Sequence, residues 1–257
     1  MPIYLRYNIE DMSGHSKWST IKRKKGATDA ARGQLFSKLS RAISIAVKTG
    51  GGSDPDMNYK LRVAMDKAKT ENMPKENVER AISRGSGSEE LHEAVYEGYG
   101  PNGLNVIVEV ATDNKNRVGQ EIKNLFERGG GSLGGPGSVS FNFMPKGLLV
   151  VKKDKNTEKQ ILDLIDLGIE DVEETEDAIE AYVKPSELSQ VRSKVEERGY
   201  RVSSAELDQK PNSYQTISNE SDAKKALNFL EKLEELDDVQ KVSTNLDIPE
   251  EVLAKIS

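Results

Sequence analysis

The 257-residue chain contains no cysteine, so disulfides, thiolate nucleophiles and cysteine-ligated metal centres are excluded. No apolar run comes near the roughly 18 residues that a membrane-spanning helix needs, and no membrane partner is expected. Histidine is nearly absent: His15 and His92 are the only two, and neither stands beside a plausible nucleophile. No GxSxG, HExxH or Walker loop occurs. Carboxylates are abundant, yet none lies in an apolar stretch that would raise its pKa for acid–base work. These gaps point away from an enzyme, and no cofactor, metal or small-molecule substrate is expected. The opening MPIYLRYNIEDM lacks both the apolar core of a secretory signal and the arginines of a transit peptide. It reads as a short disordered leader over residues 1–12, and the expected location is the cytoplasm.

What the chain does have is charge, unevenly spread. The formal net charge is -6, yet Gly14 to Gly51 holds nine Lys and Arg against a single acid, Asp29. Residues 154–257 carry 13 basic and 26 acidic side chains. The hydrophobic fraction is 35% and the mean hydropathy -0.63, which favours several small cores over one deep one. A basic end on an acidic chain predicts a polyanion held at one face and repelled elsewhere.

Periodicity divides the chain into modules. TDAARGQLFSKLSRAISIAVKT reads as a helix with an apolar stripe of Leu35, Leu39, Ile43, Ala46 and Val47. Lys38, Arg41 and Lys48 fall on its opposite side. A second helix is expected from Asp54-Pro55, with Met57 and Leu61 in its stripe, and a third over NMPKENVERAIS, stopped by Gly85. Beyond it, AVYEGYGPNGLNVIVEVATD reads as two strands around a Pro-Asn-Gly turn. A helix over NKNRVGQEIKNLFERGG follows, and then SVSFNF as a strand with Val139, Phe141 and Phe143 on one core face. Residues 147–208 carry the βαββαβ order of a ferredoxin-like unit. NSYQTIS, SDAKKALNFLEKLEEL and VQKVSTNL add a further strand, helix and strand. The expected fold is therefore α+β: an N-terminal three-helix domain followed by two ferredoxin-like α/β domains, one inserted in the other. Its expected bounds are 13–90 for the basic arm and helical domain, 91–146 plus 209–257 for the host and 147–208 for the insert.

Candidate chemistry is mostly basic. Lys17, Trp18, Lys22, Arg23, Lys24 and Lys25 form an arm suited to phosphates, with the indole available to stack on an exposed base. Arg32, Lys38, Arg41 and Lys48 extend it, and the lack of compensating acids favours a nucleic-acid surface over a solvated tail. Asn114, Lys115, Asn116 and Arg117 join a strand end to a helix start, where free amides favour an anion; a capped loop is the plainer reading. Gly129, Gly131 and Gly134 spell a GxGxxG, but after a helix and before a strand, so a dinucleotide fingerprint is rejected. The acidic run from Glu170 to Glu180 lacks calcium-loop spacing and reads as a solvated hairpin.

The segments SGHSKWSTIKRKK, DAARGQLFSKLSRAI, NMPKENVERAISRG, YEGYGPNG and TDNKNR, with DDVQKVSTNLDI near the end, resemble the signature segments of the YebC/PmpR family from about Ser13 onward. That family includes bacterial transcriptional regulators, a mitochondrial translational activator of cytochrome oxidase, and ribosome-associated factors that relieve stalling at proline runs. The resemblance implies a helical domain plus two α/β domains and no catalytic residue. It also implies nucleic-acid contacts by Lys17 through Lys25, Lys38 and Arg41, and by the Asn114–Arg117 loop. The leader and the glycine-rich Gly134–Gly137 stretch depart from the pattern. The expected function is a nucleic-acid-binding regulator of gene expression, first as a DNA-binding transcriptional regulator. A ribosome- or mRNA-associated translation factor is the alternative, favoured by the lack of a helix-turn-helix with a clear recognition helix. A protein-interaction scaffold is the third.

Overall fold

The computed structural model describes residues 15–18, 20–21, 29–87 and 91–256, with backbone alone at 15, 16 and 29–32. Three apolar cores organise it. The first belongs to helices α1 (Asp29–Thr49), α2 (Tyr59–Thr70) and α3 (Lys75–Ser86). Leu39, Ile43, Ala46 and Val47 of α1 meet Leu61, Ala68 and Ala81, as the helical period requires. Two expectations fail here. Gly85 does not end α3 but lies buried inside it, because a Cβ there would stand 2.6 Å from the Ser44 carbonyl oxygen of α1. Helix α2 starts at Tyr59 rather than at Asp54-Pro55, because the buried Asn58 caps it. The Asn58 side chain accepts from Leu61 N at 3.0 Å and donates to Ala46 O and Gly52 O, both at 2.7 Å. Met57 is consequently left 80% exposed instead of joining the stripe.

The second core lies under a sheet of β2 (His92–Tyr99), β3 (Asn105–Thr112), β4 (Ser132–Leu133) and β10 (Val239–Thr244), in the order β10-β3-β2-β4. Val106, Val108 and Val110 alternate toward α4 (Lys115–Arg128) and α7 (Glu220–Glu234). The rings of Phe126 and Phe229 cross edge to face at 5.0 Å. Sheet order and helix placement match a ferredoxin-like domain whose third strand has moved to the front as β2. SVSFNF is not a strand: Ser140–Asn142 form a 3-10 turn. Val139 and Phe143 are buried with Ile107, but Phe141 is 72% exposed, contrary to the expected core position. The reason is Glu97, whose buried carboxylate accepts from the backbone N–H groups of Gly137, Val139 and Ser140 at 2.8–2.9 Å and so takes those donors away from any ladder.

The third core fills the insert: β5 (Phe143–Lys152), α5 (Thr157–Asp166), β6 (Asp171–Glu174), β7 (Ala178–Val183), α6 (Leu188–Glu197) and β8 (Val202–Pro211), in the sheet order β6-β7-β5-β8. This is the ferredoxin-like arrangement. Val63 of α2 joins its apolar core, so the helical and inserted domains share a greasy contact. A small third sheet, absent from the sequence expectation, sets β11 (Leu246–Pro249) between β1 (His15–Lys17) and β9 (Gln215–Thr216). β9 is all that the expected NSYQTIS strand becomes. Helix α8 (Glu250–Ile256) ends the described chain and packs Val252 on the host core.

Candidate nucleic-acid interface

The root of the basic arm is built into the host domain. β1 pairs antiparallel with β11, setting Ser16 opposite Ile248, and Trp18 and Ile21 are buried in the host core. At 5% exposure the Trp18 ring has no face for a base, which corrects the stacking role expected for it. Thr20 Oγ1 hydrogen-bonds the fully buried carboxylate of Glu180 at 3.0 Å. Lys17 pairs with Glu173 and lies 4.4 Å from the centre of the Tyr214 ring. A carboxylate of the insert therefore already occupies Lys17. Lys22, Arg23, Lys24 and Lys25 lie outside the described residues; they connect the buried Ile21 to the start of α1 at Asp29. Arg32 is in the first turns of α1, where only the backbone is described.

The basic side of α1 faces the host domain rather than water. Helix α7 ends with carbonyls that lack partners within the helix, at the negative end of its dipole. Gln34 donates to Glu235 O at 2.8 Å, Lys38 to Glu234 O, and Arg41 to Asp237 O at 2.7 Å. Arg41 also reaches Asp238 Oδ1 at 2.6 Å. From the other side Arg117 of α4 reaches Asp238 Oδ2 at 2.6 Å, with Asp113 at 3.2 Å and Glu121 at 3.5 Å. Asp238 is only 5% exposed on its side chain, clamped between the two guanidinium groups. The hydrogen bond that Arg117 donates to Asp238, more than any other cause, holds the guanidinium above its ordinary pKa. Of the residues nominated from sequence, the fold thus brings Lys38, Arg41 and Arg117 together, but on one aspartate and one helix end. Lys48 is exposed at the far end of α1.

The Asn114–Arg117 loop is a capped helix start: the Asn114 side chain accepts from Arg117 N at 3.0 Å. Lys115 and Asn116 are exposed on that first turn. The acidic run is likewise not purely solvated. Glu180 is buried, Glu173 holds Lys17 and Lys210, and Lys146, Lys153 and Lys210 pair with Glu170, Glu174 and Asp171.

Sequence reasoning missed a half-buried ionic cluster where the three domains meet. Lys241 of β10 pairs with Asp208 of β8 at 2.6 Å, and Lys67 of α2 with Glu206 at 2.8 Å. Burial would lower the Lys241 ammonium, but the charges of Asp208 and Glu206 hold it above its usual value. Burial pushes the Tyr182 phenol well up, reinforced by Glu173 and Glu180. The members come from distant parts of the chain, so no local pattern could reveal them. Among the described residues no group of His, Cys, Asp or Glu is placed to hold a metal ion, and no helix is long and apolar enough to cross a membrane.

Two family models match. Residues 16–88 fit the TACO1/YebC protein N-terminal domain, and residues 91–246 fit the TACO1/YebC second and third domain. A protein of Dictyoglomus thermophilum named "Probable transcriptional regulatory protein" is 45% identical over 251 residues, spanning 96% of this chain and 100% of its own length. A Sulfurihydrogenibium protein with the same description is 46% identical over 250 residues, covering 95% of this chain and 99% of itself. The crystal structure of a conserved hypothetical protein from Aquifex aeolicus superposes with a TM-score of 0.83 at 43% identity, over 93% of this chain and 99% of that one.

Proposed function

Because the chain belongs to the TACO1/YebC family, we propose that it is a non-catalytic regulator of gene expression that grips the phosphates of a nucleic acid through Lys22, Arg23, Lys24 and Lys25. Its relatives' description as transcriptional regulatory proteins supports a regulator. The observation that carries the grip is the position of the run. Four consecutive cations bridge two anchored points, the buried Ile21 and the start of α1, in a chain whose acids gather elsewhere. Arg32 and Lys115 add to this set. Lys17, Lys38, Arg41 and Arg117 already hold their own domains together and are not counted in it.

A second reading, an RNA or ribosome factor, draws support from the helices. The basic side of α1 is spent on α7, and α2 is packed on the insert. The remaining helix, α3, carries mixed charge, with Lys75 paired to Glu79 at 3.5 Å. None of them resembles a recognition helix ready for a major groove.

The test replaces Lys22, Arg23, Lys24 and Lys25 together by Gln and measures affinity for duplex DNA and single-stranded RNA across salt. Each lost phosphate contact should flatten the log–log salt slope by about 0.9 on duplex and about 0.7 on single strands. Unchanged affinity and slope on both would remove the reading. Cosedimentation with ribosomes, against footprints at promoters, separates the RNA target from the DNA one.

A further inference from the structure

Phe141 is the most exposed aromatic ring among the described residues, at 72%, and it makes no ring or cation contact with any of them. Exposure alone is ordinary for an apolar side chain; the frame beneath this one is not. Upstream, the buried Glu97 carboxylate accepts from the N–H groups of Gly137, Val139 and Ser140, and Tyr99 Oη donates to Ser138 O at 2.8 Å. At the residue itself, Asn212 Nδ2 donates to Phe141 O at 3.3 Å. Downstream, the buried Asn142 side chain donates to Asn105 Oδ1 and Ser213 O, both at 3.0 Å. It accepts from Ser213 N at 3.0 Å and Ser213 Oγ at 2.8 Å. Val139 and Phe143 on either side are buried, so the turn is anchored at both ends while the ring between them stays in water. A buried carboxylate and a buried amide thus hold in place a ring that adds nothing to the core. Fixing a contact group beforehand lowers the ordering cost of binding.

The surroundings choose the occupant. The segments tied together there, 98–108, 129–145 and 211–219, contain no Asp, Glu, Lys or Arg, in a chain that is 31% charged. Glu97 is only 8% exposed, with its oxygens on backbone amides, so these segments present no open carboxylate to repel a phosphate chain. Exposed next to Phe141 are the hydroxyl of Ser140 and the amide of Asn212, groups that can pair with the edge of any base. A stable protein interface covers roughly 800 Å² per partner around an apolar centre, more than one ring among such groups supplies. We propose that Phe141 is the stacking platform for one unstacked base of a single-stranded nucleic acid, the role that burial denies to Trp18. This inference rests on the nucleic-acid reading and narrows it, because a base inside a duplex has no free face to offer. Lys22 to Lys25 hold phosphates; Phe141 takes a base.

The full chain is titrated with a short oligothymidylate, with a strand of the same length that lacks bases, and with duplex DNA. Wild type should bind the oligothymidylate more tightly than the abasic strand. Phe141→Ala should weaken oligothymidylate binding roughly five- to 150-fold, the range for one stacked base, and leave the abasic strand and the duplex unchanged. Phe141→Leu keeps apolar bulk without a π face and should behave like Phe141→Ala, while Phe141→Tyr should bind like wild type. The ring lies outside the core, so the circular dichroism of all three should match wild type. Phe141→Trp gives a second readout: the emission it adds to that of Trp18 should be quenched by oligothymidylate and not by the abasic strand. Unchanged oligothymidylate affinity in Phe141→Ala, with the Lys22 to Lys25 replacement still weakening both strands, would overturn this inference and leave the phosphate grip standing. Full affinity in Phe141→Leu would also overturn it, marking an apolar docking point for a protein instead. No binding of either strand by wild type would remove the nucleic-acid reading itself, and this inference with it.

Discussion

Replacing Glu97 by Gln should loosen the glycine-rich segment and weaken the host domain by about 2–4 kcal/mol. The carboxylate accepts from Gly137 N at 2.9 Å, Val139 N at 2.9 Å and Ser140 N at 2.8 Å. A hydrogen bond to a charged group contributes about 1.5–3 kcal/mol, and a stranded buried donor costs about 1–3 kcal/mol. The amide keeps one acceptor oxygen and turns an NH2 toward donors. Only the Val139 contact is fully buried, so the three do not add at full value. Burial raises the Glu97 pKa, but the three backbone donors outweigh it and leave the group below its ordinary value. The sign follows. A depressed carboxylate stabilises fully above its unfolded pKa, about 4.3, and loses that contribution as pH falls through the folded value. Urea unfolding of wild type and Glu97→Gln should therefore differ most at neutral pH and converge in acid. Hydrogen exchange at the Gly137, Val139 and Ser140 amides should quicken in the variant. A difference below about 0.5 kcal/mol at pH 7, the range of ordinary surface changes, would refute the reasoning, as would a gap that persists unchanged in acid.

Other perturbations address the domain contacts. Asp238→Ala leaves Arg41 and Arg117 facing each other; breaking a buried pair costs roughly 3–5 kcal/mol, and partial exposure of both arginines reduces that to about 1–3 kcal/mol. Limited proteolysis should then cut between α1 and α7 faster than in wild type. Gly85→Ala forces a methyl onto the Ser44 carbonyl oxygen, 2.6 Å away, and should lower the stability of the helical domain by about 1–3 kcal/mol in urea. Tyr200 donates to Asp163 at 2.5 Å, and this bond more than any other cause pushes its phenol up to about 12. NMR titration of ring-labelled tyrosine should find it there, and Asp163→Asn should bring it back toward roughly 10.

The regular parts of the molecule were legible because they obey local periods. Leu39, Ile43 and Val47 recur every turn of α1, and Val106, Val108 and Val110 alternate along β3. The βαββαβ order of the insert needed nothing further. The failures all involve contacts that a periodic pattern does not encode. Val139, Phe141 and Phe143 satisfy a strand pattern, yet Glu97 claims the backbone donors of that segment. Asp54-Pro55 looked like a helix start because nothing local shows that Asn58 also bonds Ala46 and Gly52. The site suffered most. Lys38 and Arg41 lie opposite the apolar stripe of α1, as their spacing requires, but that side meets the end of α7 instead of solvent. Spacing fixes direction around a helix axis; it does not say what waits there.

Phe143 and Pro211 are register partners at the base of β5 and β8, so the insert leaves and re-enters its host only one strand spacing apart, about 4.5–5.5 Å. A two-residue turn grafted across that gap would delete residues 144–210 without stretching the chain. It would also uncover the Val63 side of α2, turning a three-lobed protein into a host whose helical lobe swings on the contacts of Gln34, Lys38 and Arg41. The insert thus works as a removable brace, held to the helical lobe through Val63 and the Lys67–Glu206 pair.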